Sequence, residues 1–314
     1  MPNVAPPFSL RITPLPNRGL ISLDGPDTRN FLQNLVSNDI RKVAAHRAIY
    51  ALLLTPQGKF MHDFFILEQP DEQTDTSILV ECERSRVEDL VRRLTLYRLR
   101  ADVVIKDLTE HYHVYAAFGS GVFTALGLES SLGFAKTSGR TLSFVDPRLS
   151  ELGARVIAPA DQKISFSGAE TASSSDYDMF RLALGIPDGS RDMETERTFP
   201  LEAGLEDLNA IDYGKGCYVG QELTARTHYR GTLRKRLFPV AVQGPLPESG
   251  TDVMLGDRLA GELRSGQDGR ALALLRLEQV EESQRTGIPL KAGSVLLTPE
   301  TPNWMRFRDK AESP

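Results

Sequence analysis

Cys217 is the side chain in this sequence with the most chemical capacity. It sits in YGKGCYVGQELTART (residues 213–227) and is one of 2 cysteines in 314 residues. Gly216 and Gly220 wall it: glycine opens backbone angles closed to other residues and leaves no side chain to cover the thiol. Gln221 to His228 suit a short helix, which puts Cys217 just ahead of a helix N-terminus. Backbone N–H groups and the helix dipole there favour a thiolate, and Lys215 adds positive charge nearby. An accessible thiol of lowered pKa can attack an electrophile or ligate a soft metal. A cysteine that merely fills a tight turn is the third reading, and the stretch by itself leaves all three open.

The thiol count narrows the metal option. Cys82 closes the apolar run SILVEC and reads as a structural thiol. Two thiols without a CxxC pair make no disulfide framework, and they fall short of the four thiolates that usually hold an iron–sulfur cluster. If Cys217 ligates metal, other molecules supply most of the remaining ligands. His228, eleven residues further on, is a candidate additional ligand or orienting group. His46, His111 and His113 show no metal-ligand pattern. The chain has no P-loop, no GxGxxG after a strand and no GxSxG.

Around these residues the pattern is α+β. RGLISLDGPDTRNFLQNLVSNDI gives a strand at Leu20–Leu23, a turn at Asp24-Gly25-Pro26 and a helix capped near Asp27 or Thr28, with Phe31, Leu32, Leu35 and Val36 on one face. AIYALLLTPQGKFMHDFFILEQ reads as a hairpin about Pro56-Gln57-Gly58. TSILVECERSRVEDLVRRLTLYRLRADVVIKDLT reads strand, helix, strand, with Val87, Leu90, Val91 and Leu94 on the helix's apolar face. The first sixteen residues are proline-rich and read as an extended arm. From Leu237 short strands alternate with turns, including RALALLRLEQV, which predicts a small antiparallel barrel. The expected domains are 8–48 with 175–235, a discontinuous α+β domain carrying the cysteine; 49–160, ferredoxin-like α+β; 161–175, a flexible insertion or linker; and 236–314, a barrel.

Composition excludes some classes. The chain is 40% hydrophobic and 25% charged with net charge −5, ordinary for a globular protein and unlike a basic nucleic-acid-binding domain. No run of 18 apolar residues is present, so no transmembrane helix is expected. The N-terminus has neither a secretory apolar core nor an arginine-rich amphipathic presequence. A cytosolic chain and a trimmed mature form both fit.

Lys215-Gly216-Cys217-Tyr218-Val219-Gly220-Gln221-Glu222 resembles the K-G-C-[YF]-x-G-Q-E signature of the YgfZ-like family, related to the T-protein (aminomethyltransferase) of the glycine cleavage system. PLEAGLEDLNAIDY upstream, LTARTHYRGTLRKRLFPV downstream, DGPDTRNFLQNLVSNDI and DPRLSELGARVI carry the likeness over nearly the whole chain. The downstream stretch most closely resembles the eukaryotic mitochondrial branch, whose members assist iron–sulfur assembly for [4Fe–4S] proteins such as aconitase and lipoate synthase. The resemblance implies an aminomethyltransferase-like folate-binding fold, its domains arranged in a ring, with a C-terminal antiparallel β-barrel. It also implies a matrix location and a [2Fe–2S] cluster shared between Cys217 and an A-type scaffold protein.

The same resemblance raises tetrahydrofolate chemistry. Relatives carry two adjacent aspartates on a glycine-rich hairpin, and here those positions hold His62 and Asp63. A histidine can move protons but lacks a carboxylate's charge and geometry, which counts against one-carbon transfer. Glu202 would read a pterin ring through two N–H bonds, or is simply a helix-start carboxylate. Arg226 and Arg230, with Arg234, Lys235 and Arg236, would hold a folate tail or meet an acidic partner. The expected function is therefore cluster assembly rather than catalysis. A folate-dependent one-carbon transferase and a thiol enzyme using Cys217 are the alternatives.

Overall fold

The computed structural model describes residues 9–71, 75–230 and 233–307. They group into two compact units. The first takes the described residues up to Leu53, then His62–Tyr177 and Asn209–Val219; the second takes Leu54–Met61, Asp178–Leu208 and the described residues from Gly220 onward.

The chain runs β1 (Arg11–Pro14), β2 (Arg18–Asp24), α1 (Thr28–Leu35), β3 (Ile49–Leu54), β4 (Phe60–Asp71), β5 (Asp75–Glu83), α2 (Val87–Arg98), β6 (Val104–Asp107) and β7 (Tyr112–Phe118). It continues through α3 (Val122–Leu126), β8 (Ala135–Ser138), β9 (Thr141–Val145), β10 (Ala154–Pro159), β11 (Glu170–Thr171) and α4 (Ser174–Ala183). A five-stranded sheet has the order β3-β4-β5-β2-β6, and a six-stranded sheet the order β11-β1-β7-β10-β9-β8.

Strand alternation decides what each face of the five-stranded sheet meets. On β4, Phe64 and Ile66 point into a core shared with Leu32 and Leu35 of α1 and Leu90 and Leu94 of α2. Phe65 points the other way, to Tyr50 of β3 at 5.2 Å and Phe144 of β9 at 5.6 Å. Helices cover one face and the six-stranded sheet the other. The expected helix at Thr28 forms with Asp27 at its N-cap position, but no side chain caps it. The Asp27 carboxylate instead accepts from the Asp102 N–H at 2.8 Å, tying the loop before β6 to the start of α1.

Two segments turn out more ordered than their composition suggests. Arg11–Pro14, within the expected arm, is a strand paired with β7; residues 1–8 of that arm lie outside the described residues. The polar stretch 161–175 contains β11, which pairs in parallel with β1 through Arg11↔Glu170.

In the second unit follow α5 (Gly189–Asp192), α6 (Gln221–Arg230), β12 (Lys235–Gln243), β13 (Asp252–Leu255), β14 (Arg258–Gln267), β15 (Arg270–Arg276), α7 (Leu277–Thr286), β16 (Leu290–Ala292) and β17 (Val295–Pro299). The six strands close into a barrel in the order β12-β15-β14-β13-β16-β17 around Phe238, Val240, Val253, Leu263 and Leu275. The LEQV expected to extend a strand is a helix: the chain leaves β15 at Arg276, buries Val280 and stops at Gly287, whose φ of 72° suits a left-handed C-cap. Trp304 packs against the barrel core and donates its indole N–H to the Leu184 carbonyl at 2.7 Å, tethering the C-terminal segment.

Candidate functional site

Cys217 is exposed, whereas Cys82 is 1% exposed in the first unit's core. Burial pushes the Cys82 thiol up to about 12, so it stays protonated and unreactive across the physiological range.

A set of long-range hydrogen bonds fixes the Cys217 segment. Ser37 Oγ donates to the Ala210 carbonyl at 2.6 Å, and Asn38 Nδ2 donates to the Asn209 carbonyl at 2.8 Å. The Asp212 N–H donates to the Ser37 carbonyl at 3.0 Å, and the Lys42 ammonium pairs with the Asp212 carboxylate at 2.6 Å. Gln33 Nε2 donates to the Lys215 carbonyl at 3.2 Å. Val219, just past the thiol, packs against the core beneath α1 and α2. Ser37, Asn38 and Gln33 were not singled out in the sequence; the cue is a polar Ser-Asn pair, buried, straight after an apolar helix face.

Lys215 has a different job from the one expected. Its Nζ donates to the carbonyls of Gln33, at 2.7 Å, and of Val36, at the C-terminal end of α1. A helix end leaves carbonyls unpaired and carries partial negative charge, so a lysine there serves as a C-cap. Burial holds its pKa down, to about 8. The ammonium also lies 5.1 Å from the Tyr218 ring centre. Lys215 and Tyr218, 7% exposed, anchor the loop from inside while Cys217 faces solvent.

The two glycines also divide their roles. Gly216 has φ 97°, and a Cβ there would meet nothing within 4 Å, so only backbone conformation demands glycine. Gly220 has φ 84°, and a Cβ there would lie 2.5 Å from the Thr55 carbonyl and 3.0 Å from Gly58 Cα. Gly220 is thus pinned against the β3–β4 turn in the second unit, and Gln221 opens α6 directly after it. Glu222 lies exposed in the first turn of α6.

His62 and Asp63 are adjacent on β4 and so leave the sheet on opposite faces. His62, 3% exposed, donates from Nε2 to Asp89 Oδ2 at 2.9 Å, toward α2. Burial and the neighbouring Arg86 hold its pKa down, to about 4, against the pull of Asp89, so the ring is neutral. Burial tends to raise the Asp89 carboxyl, but Arg93, Arg92 and His62 outweigh it and keep Asp89 ionised. Asp63 accepts from the Tyr50 hydroxyl at 2.9 Å on the side of Phe65. The two residues therefore do not face one pocket together.

The remaining candidates belong to the second unit. Glu202 lines a cavity of about 250 Å³ with Glu194, Arg197, Lys235 and Arg264. Its pKa is raised by burial, against an N–H bond from Phe199 at 3.4 Å. Arg226 is exposed on α6, and the Arg230 side chain lies outside the described residues. Arg236 is buried, paired with Asp207 and donating to the Arg306 carbonyl at 2.6 Å, so the basic run 234–236 is no continuous charged strip. His228 directs Nδ1 to Glu206 Oε1 at 2.6 Å. Among the described residues no group of three or more His, Cys, Asp or Glu side chains is arranged to hold a metal ion, and no helix is long and apolar enough to cross a membrane.

Comparison with known proteins gives this geometry a family. The GCVT N-terminal domain model matches residues 15–126, and the CAF17 C-terminal beta-barrel domain model matches residues 234–307. The iron-sulfur cluster assembly factor IBA57, mitochondrial, of Mus musculus is 34% identical over 282 residues, covering 85% of this chain and 78% of its own length. The chain belongs to the IBA57 family. The Homo sapiens IBA57 is 32% identical over 305 residues, with 92% and 84% covered, and an IBA57 homolog of Dictyostelium discoideum is 30% identical over 256 residues, with 74% and 62% covered. All three carry the word mitochondrial in their names. The fold is aminomethyltransferase-like: the crystal structure of glycine cleavage system aminomethyltransferase T from Bartonella henselae superposes with a TM-score of 0.73 at 13% identity, over 95% of this chain and 86% of that one.

Proposed function

We propose that this IBA57-family chain assists iron–sulfur cluster assembly in the mitochondrial matrix, and that Cys217 completes the ligand shell of a [2Fe–2S] cluster held by an A-type scaffold protein. The cluster is the cargo. The Cys217 thiol gives its proton to solvent, and the thiolate donates a lone pair to one iron in place of an exchangeable ligand. No electron changes hands in that step. The partner's cysteines hold the other positions, and the complex protects the cluster or passes it on during conversion to [4Fe–4S].

The observation that carries this reading is a single exposed thiol on a rigidly tied loop, in a chain whose other thiol is sealed in the core. Lys215, Gln33, Ser37 and Asn38 hold the loop, so the sulfur is presented without ordering the chain at each encounter. Lacking a metal-binding group of its own among the described residues, the chain relies on ligands from elsewhere.

The test is anaerobic mixing with a cluster-loaded A-type scaffold, followed by size-exclusion elution and the cluster's visible absorption. Wild type is expected to give a coloured heterocomplex and Cys217→Ala none. A coloured complex of equal yield with Cys217→Ala would remove Cys217 as the ligand.

Tetrahydrofolate binding is the weaker reading. It rests on Glu202 in the second unit's cavity, with Asp63 in the first unit a separate candidate, because His62 gives its N–H to Asp89. Isothermal titration with tetrahydrofolate checks it, with Asp63→Asn and Glu202→Gln as the variants expected to weaken any binding seen.

A further inference from the structure

The cavity of the second unit has a chemistry that cluster ligation does not use. Its volume of about 250 Å³ holds several waters rather than one, and every residue lining it belongs to the second unit. Four neighbouring barrel strands form its floor. Asp252 of β13 pairs with Glu262 of β14, Glu262 with Leu274 of β15, and Arg276, two residues on, with Lys235 of β12. These positions alternate with Val253, Leu263, Leu275 and Phe238 of the barrel core, so their side chains leave by the outer face. Glu194, Arg197 and Glu202, from the segment after α5, complete the charged lining.

Half of these charges satisfy one another. Arg197 pairs with Glu194 at 3.1 Å, and Arg264 Nη1 lies 2.8 Å from both Glu194 and Glu262, a neutral ladder of two bases and two acids. Arg264 is 8% exposed, and its Nε, without a partner among the described residues, is a buried donor still to be satisfied. The other four, Lys235, Arg276, Glu202 and Asp252, are in no ion pair among the described residues. Lys235 and Arg276 are direct cross-strand neighbours, and like charges so placed destabilise a sheet unless an anion lies between them. Glu202 stands near them. Burial raises its pKa, against the Phe199 N–H and the charge of Lys235. Two bases against one acid leave this end of the cleft with one positive charge in excess.

Asp252 is unbalanced in the opposite sense, because the Glu262 opposite it is taken by Arg264. A strand spacing of about 4.8 Å and a rise of about 3.4 Å per residue put Asp252 and Arg276 about 12 Å apart at the backbone. Leu274 lies between them in register, and Leu259 borders the same cleft. We propose that this cleft binds an extended zwitterion, with its carboxylate held by Arg276 and Lys235 and its ammonium by Asp252. The spacer lies against Leu259 and Leu274. An α-amino acid is too short to reach both ends. An ω-amino acid and a short peptide with free termini share the required chemistry. No aromatic residue lines the cleft, so a pterin ring would find no face to stack on. The site stands apart from tetrahydrofolate binding and from cluster ligation by Cys217.

The test is isothermal titration of the full chain with 6-aminohexanoate and, in parallel, with diglycine. Saturable binding of at least one is expected, and the tighter of the two tells which source the cleft favours. Glycine, hexanoate and hexylamine lack either the spacing or one of the charges, and each should bind about tenfold more weakly or worse. Arg276→Gln and Asp252→Asn should weaken binding of the zwitterion by a similar factor. Cys217→Ala should bind like wild type. Asp252→Lys separates recognition from a structural role. The position is exposed and a lysine there faces Glu262, so the Tm should hold, while the cleft should come to prefer adipate, with two carboxylates, over 6-aminohexanoate. No saturable binding of either zwitterion, equal binding of hexanoate, or an unchanged preference in Asp252→Lys would overturn the proposal. So would displacement of the zwitterion by tetrahydrofolate.

Discussion

The two cysteines of this chain occupy opposite kinds of environment. Cys82 lies one residue from the end of β5, opposite Phe64 of β4, in a core that leaves its thiol protonated at any physiological pH. Cys217 lies on a segment with no regular secondary structure, exposed, beside a glycine whose missing side chain leaves open space. Both regions are tied down, for different reasons. Apolar contact immobilises the first. The second is held by side-chain hydrogen bonds that reach back to the end of α1 from residues 209–215, leaving a reactive group uncovered. Burial and order are thus separate properties, and a loop can have the second without the first.

Removing each thiol in turn gives the largest contrast. Cys217→Ala should abolish complex formation with a cluster-loaded A-type scaffold while changing folding stability by less than about 0.5 kcal/mol, as for an exposed site. Size-exclusion absorbance and urea unfolding measure the two halves of that expectation.

Acid should act on the buried region and leave the loop alone. The unfolded chain protonates His62 near pH 6.5, whereas the folded chain does so only near pH 4. The unfolded state therefore binds more protons in that window, and stability falls as pH drops through it, by about 3 kcal/mol at most. Urea midpoints from pH 7 to 4 for wild type and His62→Gln check this; the variant's curve should be flatter.

The loop's rigidity can be broken at Lys215. Lys215→Met leaves the α1 carbonyls of Gln33 and Val36 without their donor, at a cost of about 2 kcal/mol. The freed segment should alkylate faster at Cys217 with Cys82 still silent. Equal alkylation rates and equal stability would mean that the lysine does not hold the loop. The smallest effect belongs to Cys82→Ser, which puts a hydroxyl into the apolar core at about 1–2 kcal/mol. Complex formation should not change.

The sequence made Cys217 legible because its signals are local: a glycine on either side, a polar helix-forming run after it, one other thiol elsewhere. The helix at Thr28, the hairpin at Gly58 and the barrel were legible for the same reason, being written in periodicity and turn residues. What was hidden depends on distant pairing. Lys215 reads as a charge beside the thiol, but its partner is a helix end 182 positions earlier at Gln33. His62 and Asp63 read as one functional pair until the strand sends them to opposite faces. The helix at Leu277 was concealed because Leu, Gln and Val suit a strand as well as a first helical turn, and only Gly287 marks its end.

The most direct measurement is protection of one sulfur. The free protein and its anaerobic mixture with a cluster-loaded A-type scaffold would be treated with iodoacetamide, and the labelled peptides quantified by mass spectrometry. The expected result is rapid labelling of Cys217 in the free protein, strong suppression in the mixture that is lost when the scaffold carries no cluster, and no labelling of Cys82 in either. Labelling of Cys217 at the same rate with and without the cluster would contradict its place as a ligand.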